Sequence, residues 1–414
     1  MKKLLVNSLI ILFCIVQQSY NQVGWNLIST LPERHLYSVF FTEINTGYIA
    51  GGFGTGKILK TTDGGITWSE TTFPVHSLHS VCFINANIGW TVGAGGSIYK
   101  TTNGGTTWLS LSSGTTLNLN SVYFINENFG WVVGQTATIL RTTDGGVSWS
   151  PRTFGASAGD HLYCVRFVDE NVGHAGGNGF AIRTANGGLE WRHVTKFTPA
   201  PVTSIYFTDY EKGFVVSERY IFKTVDGGIN WTFIEYSESL FSIYFIDSNR
   251  GWICGNLGTI LKTTNGGDSW ITQRSGTEYF ISIFFKDLLH GWVVGEGADG
   301  GKIFKTTTGG TLDVEEDISI PNDYILLQNY PNPFNPKTTI RFGIPEYSHV
   351  NVTIYNVLGE KVAILNSTDL PPGYYEKTWD AKNVSSGIYI CSMETRSVLK
   401  GNVLRNIKKI VLLK

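Results

Sequence analysis

A chain of 414 residues is too long for one ordinary domain and long enough for a large repeat ring with a smaller unit beside it. With 48 glycines, 13% aromatic and only 16% charged residues, the composition fits an all-β protein rich in tight turns. A formal net charge of -1 gives no basic surface for nucleic acid, which is not expected as a partner.

The chain begins Met1-Lys2-Lys3, runs apolar from Leu4 to Val16, and turns polar from Gln17 to Gln22. This reads as a secretory signal peptide over residues 1–22, too short to span a bilayer as an anchor, with cleavage between Ser19 and Val23. Cys14 follows Phe13, where a lipid-attachment signal wants a small residue, so no lipid anchor is expected. Cys82, Cys164 and Cys254 fall in different repeats and Cys391 in another domain, which predicts buried free thiols. No Cys or His spacing suits a metal, and no cofactor is expected.

From residue 61 the chain writes one octet repeatedly. TTDGGITW (61–68) returns as TTNGGTTW (101–108), TTDGGVSW (142–149), TANGGLEW (184–191), TVDGGINW (224–231) and TTNGGDSW (263–270), with a worn TTTGGTLD at 306–313. The first glycines, at 64, 104, 145, 187, 227, 266 and 309, are 39 to 43 residues apart, the period of a four-stranded propeller blade. Asp63, Asn103, Asp144, Asn186, Asp226 and Asn265 can turn back onto backbone amides two residues on, and the Gly pair accepts positive φ, so each octet predicts a tight hairpin. Its closing Trp is read as a core anchor.

Around the octets stand a Phe series (41, 83, 124, 167, 207, 245, 285), a turn former two residues later and a Gly six residues later, in an unbroken sevenfold register. The third strands end in Lys60, Lys100, Arg141, Arg183, Lys223, Lys262 and Lys305, read as solvated charges that guard strand ends. The seventh octet lacks its Trp, and Trp25 stands 13 residues before Ser38, as Trp108 does before Ser121. Residues 23–30 are therefore expected to supply the outer strand of blade seven and close a propeller spanning 23–312.

The octet resembles the Asp-box of sialidase-type repeats. The longer unit, S-V-x-F, a turn, G-W-x-V-G, then I-x-K-T-T-[DN]-G-G-x-x-W, is similar to the propeller of the photosystem II assembly and stability factor family over residues 23–312. That resemblance implies boxes on the outer rim, away from catalytic centres. The family's photosystem role is not carried over, because its Arg-rich patch does not appear in this sequence.

Residues 313–323, acidic and Pro-containing, read as a linker to a domain over 324–414 that leaves the repeat. Alternation in Val350 to Tyr355 and Ile388 to Ser392 between turn signals predicts an Ig-like β-sandwich. The Asn329-Tyr330-Pro331-Asn332-Pro333-Phe334 string, the Leu358-Gly359 turn, Trp379-Asp380 and Ser386-Gly387-Ile388-Tyr389 resemble the type A C-terminal sorting domain of the type IX secretion system. This resemblance implies a partner, the type IX machinery, and a route through the periplasm to the medium or the outer-membrane surface.

Residues repeated in every blade are explained by the fold, so a site is sought where the pattern breaks. Blade four breaks it most: its long entry carries Arg152, Asp160 and His161, Arg166 replaces an aromatic or Cys, and His174 takes the place of Trp. These five form the candidate ligand face. A second break is the extended loops at 52–56 and 296–301, on the face where ligands of propellers usually bind. The rival reading, a sialidase-like or other glycosidase, needs converging arginines with a Tyr nucleophile or two facing carboxylates. Most acidic residues here stand at repeated turn positions instead. The expectation is a monomeric binding or scaffold module without catalytic activity, its ligand a protein or a glycan.

Overall fold

The computed structural model describes residues 24–310 and 323–413, except 33, 34, 156, 158, 371, 372 and 398–402. The expected signal peptide, with Cys14, and all of the expected linker but residue 323 lie outside the described residues. The chain divides into two compact units between residues 312 and 313.

The first unit is a seven-bladed β-propeller of antiparallel four-stranded blades. Blade one is built from strands Leu36–Phe41, Gly47–Gly51, Gly56–Thr61 and Ser69–Phe73, hydrogen-bonded in that order. Its second strand is buried at every position, because it lies between neighbouring strands inside the ring. The Phe-to-Gly spacing has a steric cause: a Cβ on Gly47 would lie 2.4 Å from the Phe41 ring, and 2.3 to 2.7 Å from the corresponding ring in the other six blades. Only glycine lets the ring cover the second strand.

Blades four and five form one continuous six-stranded sheet, since Arg192–Phe207 runs from the outer strand of one into the inner strand of the next. The outer strand of blade seven is Asn26–Leu31, paired antiparallel with Gly300–Thr306 from Asn26 opposite Lys305 to Leu31 opposite Gly301. The amino-terminal strand thereby joins the last blade and closes the circle. Strand direction places the loops between strands two and three, and the links between blades, on one face, called here the upper face. The first hairpins and the boxes lie on the lower face.

Each box is a network around two side chains. Thr61 Oγ1 accepts from Gly65 N and donates to Asp63, whose carboxylate accepts the amides of Ile66 and Thr67. The reach is three and four residues forward, longer than the two expected, because the Gly64-Gly65 pair at φ 76° and 102° carries the chain around. These bonds hold the Asp63 carboxyl well below its usual range and Asp144 at about 2.

Of the six box tryptophans only Trp191 is the buried anchor expected of them. Trp68, Trp108, Trp149, Trp231 and Trp270 are half-buried, packed edge-on against the Phe of their own blade, as Trp68 is on Phe41 at 6.3 Å. The fully buried indoles are Trp25, Trp90, Trp131, Trp252 and Trp292. All of these but Trp25 belong to second strands, which lie inside the ring while the boxes stand on its rim.

The second unit is a β-sandwich. A sheet of Ile325–Leu326, Lys337–Ile344 and Gly373–Asp380 accompanies a sheet ordered Lys361–Leu370, Ser348–Asn356, Gly387–Ser397, Val403–Leu412. Phe342, Ile344, Val350, Val352, Ile354 and Met393 fill one core. Asn329, buried, donates to Pro331 O and Thr338 Oγ1, which ties the Pro-rich string into a fixed loop. Phe334 packs 5.4 Å from Trp379, and its backbone bonds Val411 and Leu413, so the string covers the end of the last strand, an edge otherwise open to pairing. Pro333, one residue before Phe334, belongs to the same loop. Gly359 turns at φ 83°, with Asn356 Oδ1 accepting the amides of Leu358 and Glu360. Gly387 opens the strand that carries buried Tyr389, itself 5.3 Å from Trp379.

Candidate functional site

The joints between blades explain the repeated residues, and show where repetition stops. In joint after joint the aromatic of one second strand stacks on the Phe of the next blade. Trp90 lies 3.5 Å from Phe124, Trp131 3.5 Å from Phe167, Trp252 3.6 Å from Phe285, and Trp292 3.6 Å from Phe41. Each indole Nε1 then donates to the first glycine carbonyl of the next box: Gly145, Gly187, Gly309 and Gly64 at 2.9 to 3.2 Å. Tyr48 serves the same way, stacking on Phe83 and donating to Gly104 O at 2.8 Å.

Five of the seven third-strand cations, Lys60, Lys100, Arg141, Lys262 and Lys305, complete these joints, which corrects the expectation of free rim charges for them. Lys100 and Arg141 donate to Gly145 O and Gly187 O. Lys60, Lys100, Lys262 and Lys305 sit 5.0 to 5.9 Å over the aromatic of their own second strand. A cation over an indole that shares its carbonyl acceptor is held by geometry, not merely solvated.

A second layer was not legible in the sequence. The Ser of S-V-x-F accepts a backbone amide of the following blade: Ser38 from Val81, Ser80 from Val122, Ser121 from Val165, Ser204 from Ile243, Ser242 from Ile283 and Ser282 from Val39, at 3.2 to 3.4 Å. Blade four has Cys164 there, whose Sγ takes the corresponding Ile205 amide and also lies 3.7 Å from Val202 O. Among the described residues the cysteines are free, with Cys164 half-buried and the other three buried. Burial lifts the Cys82 thiol to about 11, and Cys164 and Cys391 to about 12.

The five candidate residues do not converge. Arg152 lies on the outer strand of blade three and borders a shallow groove of about 520 Å³ with Phe154 and Trp191. Asp160 and His161 are on the upper face. There Asp160 accepts the Ser157 amide within its own link, and His161 Nδ1 accepts that of Thr136 in the neighbouring loop of blade three. Arg166 points to the ring axis, where one side chain from each blade meets its neighbours. Its guanidinium lies 3.7 Å from the Tyr206 ring and 5.7 Å from that of Tyr123. His174 is buried between blades four and five, stacked 3.6 Å on Phe207.

His174 fills the indole position with a weaker contact: neither ring nitrogen makes a well-formed hydrogen bond, and only a marginal one reaches the Gly227 backbone. Burial first, and Arg183 second, push its pKa down to about 3. A folded pKa below the unfolded value of about 6.5 means that stability is complete above pH 6.5 and is lost as pH falls toward 3. At about 1.4 kcal/mol per pH unit, this group alone removes about 2 kcal/mol between pH 7 and pH 5. Urea midpoints at the two pH values should show His174→Phe losing about 2 kcal/mol less than the parent chain; equal losses would refute this role.

The extended loops of blades one and seven, by contrast, do meet. On the upper face His35 Nδ1 lies 2.8 Å from Glu296 Oε1, joining the two breaks. Phe53, 66% exposed on its loop tip, stands 5.0 Å from the His35 ring and 4.8 Å from that of His76, and Tyr37 lies 6.0 Å from His35. An exposed aromatic held between imidazoles, with a carboxylate beside it, is a platform for stacking and hydrogen bonding. Sequence alone marked the loops but not these side chains, which come from blades one and seven and the link to blade two.

Residues 17–119, 108–201 and 190–277 match the family model described as photosynthesis system II assembly factor YCF48, and residues 328–410 match the secretion system C-terminal sorting domain. The chain belongs to the YCF48 propeller family. A curated relative, "Photosystem II assembly lipoprotein Ycf48" of Synechococcus sp. (strain CC9902), is 30% identical over 131 residues, 29% of this chain and 38% of its own length. The match thus spans well under half of that relative. Two solved YCF48 structures superpose on the ring. One, described as bound to D1 peptide, gives a TM-score of 0.58 at 20% identity over 69% of this chain and 97% of its own. The other, from Cyanidioschyzon merolae, gives 0.56 at 20% identity over 68% and 98%. This YCF48-family propeller therefore carries a sorting domain for secretion on the same chain.

Proposed function

We propose that the chain is exported through the type IX machinery, recognised by its sorting domain, and acts in the medium or on the outer-membrane surface as a non-catalytic binding propeller. Its ligand is a protein or a glycan held on the upper face around Phe53, His35, His76 and Glu296. The observation that carries the non-catalytic reading is how the carboxylates are used. Asp63, Asp144 and Asp226 are tied into their boxes, while Asp169, Asp209, Asp247 and Asp287 each accept two backbone amides in the first hairpins. Carboxylates occupied in this way hold turns. The peptide-bound solved relative supports a ring of this family as a ligand carrier.

The test uses the mature chain against protein and glycan arrays, with released-sugar assays alongside. Phe53→Ser, at an exposed position, should weaken any ligand so found by about tenfold or more, on the scale of a stacking anchor, and leave the melting temperature unchanged. Binding unaffected by Phe53→Ser, or turnover of a polysaccharide, would contradict the proposal. Export is separately testable: a chain lacking residues 324–414 should accumulate in the periplasm, and its appearance in the medium would refute the sorting role.

A further inference from the structure

The joint between blades four and five keeps its aromatic stack, His174 on Phe207, but changes the residue type or its engagement in each of the other recurring devices. Cys164 stands for the Ser, Arg166 for an aromatic or Cys, His174 for the indole, and the cation of the third strand, Arg183, is not engaged. Its Nε is buried without a hydrogen-bond partner. At six of the seven boxes, a Lys or Arg nitrogen lies within 4 Å of where the first glycine's Cβ would stand. At Gly227, the glycine that Arg183 should serve, the sole neighbour in that range is Tyr210 O.

The next joint shows that the fold can compensate. Phe214 has no donor, yet Lys212 closes on Gly266 and donates to Ser248 O. No such replacement occurs at Gly227. What stands there instead is a cleft of about 640 Å³, bordered by Arg183, Asn186, His193, Glu211, Asp226 and Gly227. That volume suits a small ligand or one residue of a larger one.

Arg183 and Arg192 line the cleft together with Glu190, Glu211 and Asp226. Of its carboxylates, Asp226 is held by Thr224 and Asn230, and Glu190 by Arg192 at 3.5 Å. Glu211 has no hydrogen bond or ion pair from its side chain among the described residues. Arg183 offers a planar fork of donors that makes no hydrogen bond or ion pair among the described residues, and carboxylate is the group that fork fits.

We propose that this cleft is a carboxylate-binding site anchored by Arg183, distinct from the upper-face platform. The carboxylate comes from an acidic side chain of a polypeptide or from an acidic sugar, and the two sources are separable. Calorimetric titration of the mature chain with N-acetylglutamate and with galacturonate, each against its neutral counterpart N-acetylglutamine or galactose, assigns the source. One acid should bind saturably at one site while its neutral counterpart does not. Arg183→Gln should weaken that acid by about tenfold or more, the worth of a charge-assisted bond, with Arg183→Lys between the two. Glu211→Gln, by removing a like charge, should tighten it, a gain that loss of folding cannot imitate. Absence of binding by both acids at millimolar concentration, or equal affinity in Arg183→Gln, would overturn the assignment.

Discussion

Removal of residues 24–31 lowers the melting temperature of the ring by about 10–20 °C, and a synthetic peptide of the same sequence restores it. The segment pairs with Gly300–Thr306 and brings Trp25 into the core, where the indole lies 5.7 Å from Phe285 and donates to Gln273 Oε1. A buried Trp removes about 200 Å² from water, worth about 5 kcal/mol at about 25 cal/mol per Å². For a domain above 200 residues, each kcal/mol moves the midpoint by about 2–4 °C. The edge of Gly300–Thr306 is also left unpaired, which adds aggregation to instability. Differential scanning calorimetry with and without the peptide checks both halves; an unchanged midpoint would mean that the circle holds without its closing strand.

Trp131→Ala costs about 3–5 kcal/mol, the range for truncating a buried Trp. The substitution loses the stack on Phe167 and leaves Gly187 O to Arg141 alone. His174→Ala, at the same position one blade on, should cost clearly less, because the parent ring is smaller and has only a marginal contact with Gly227 to lose. Urea unfolding of the two variants at pH 7.5 gives the comparison, and equal losses would show that the indole-to-box bond contributes little.

The repeat made the ring legible. Seven Phe-to-Gly spacings and the octet period encode strand length, hairpin position and blade number, all local and periodic quantities. Trp25 was readable for the same reason, as a copy displaced to the other end of the chain. The roles of the third-strand cations and the Ser of S-V-x-F were not readable, because each reaches into the next blade and such partners carry no fixed mark in the sequence. The depth of the tryptophans is hidden for a related reason: the octet Trp is the most visible in the repeat, yet all but Trp191 are only half-buried on the rim, while Trp90 and its equivalents lie inside.

Departures from the repeat were visible as residues and not as places. Arg152, Asp160, His161, Arg166 and His174 share a blade or its approach but occupy the outer strand, the upper face, the axis and a buried joint. Of the five, only Arg166 and His174 contact blade five. Arg183 escaped notice because it preserves the basic pattern while losing the contact.

Hydrogen exchange across the six complete boxes tests most directly whether repeated residues fasten blade to blade and the fourth joint is fastened less than the others. The amides of residues 224–231 should exchange fastest among the octets at 61–68, 101–108, 142–149, 184–191, 224–231 and 263–270. They should slow when a carboxylate ligand saturates the cleft. Even protection across all six boxes would contradict the account.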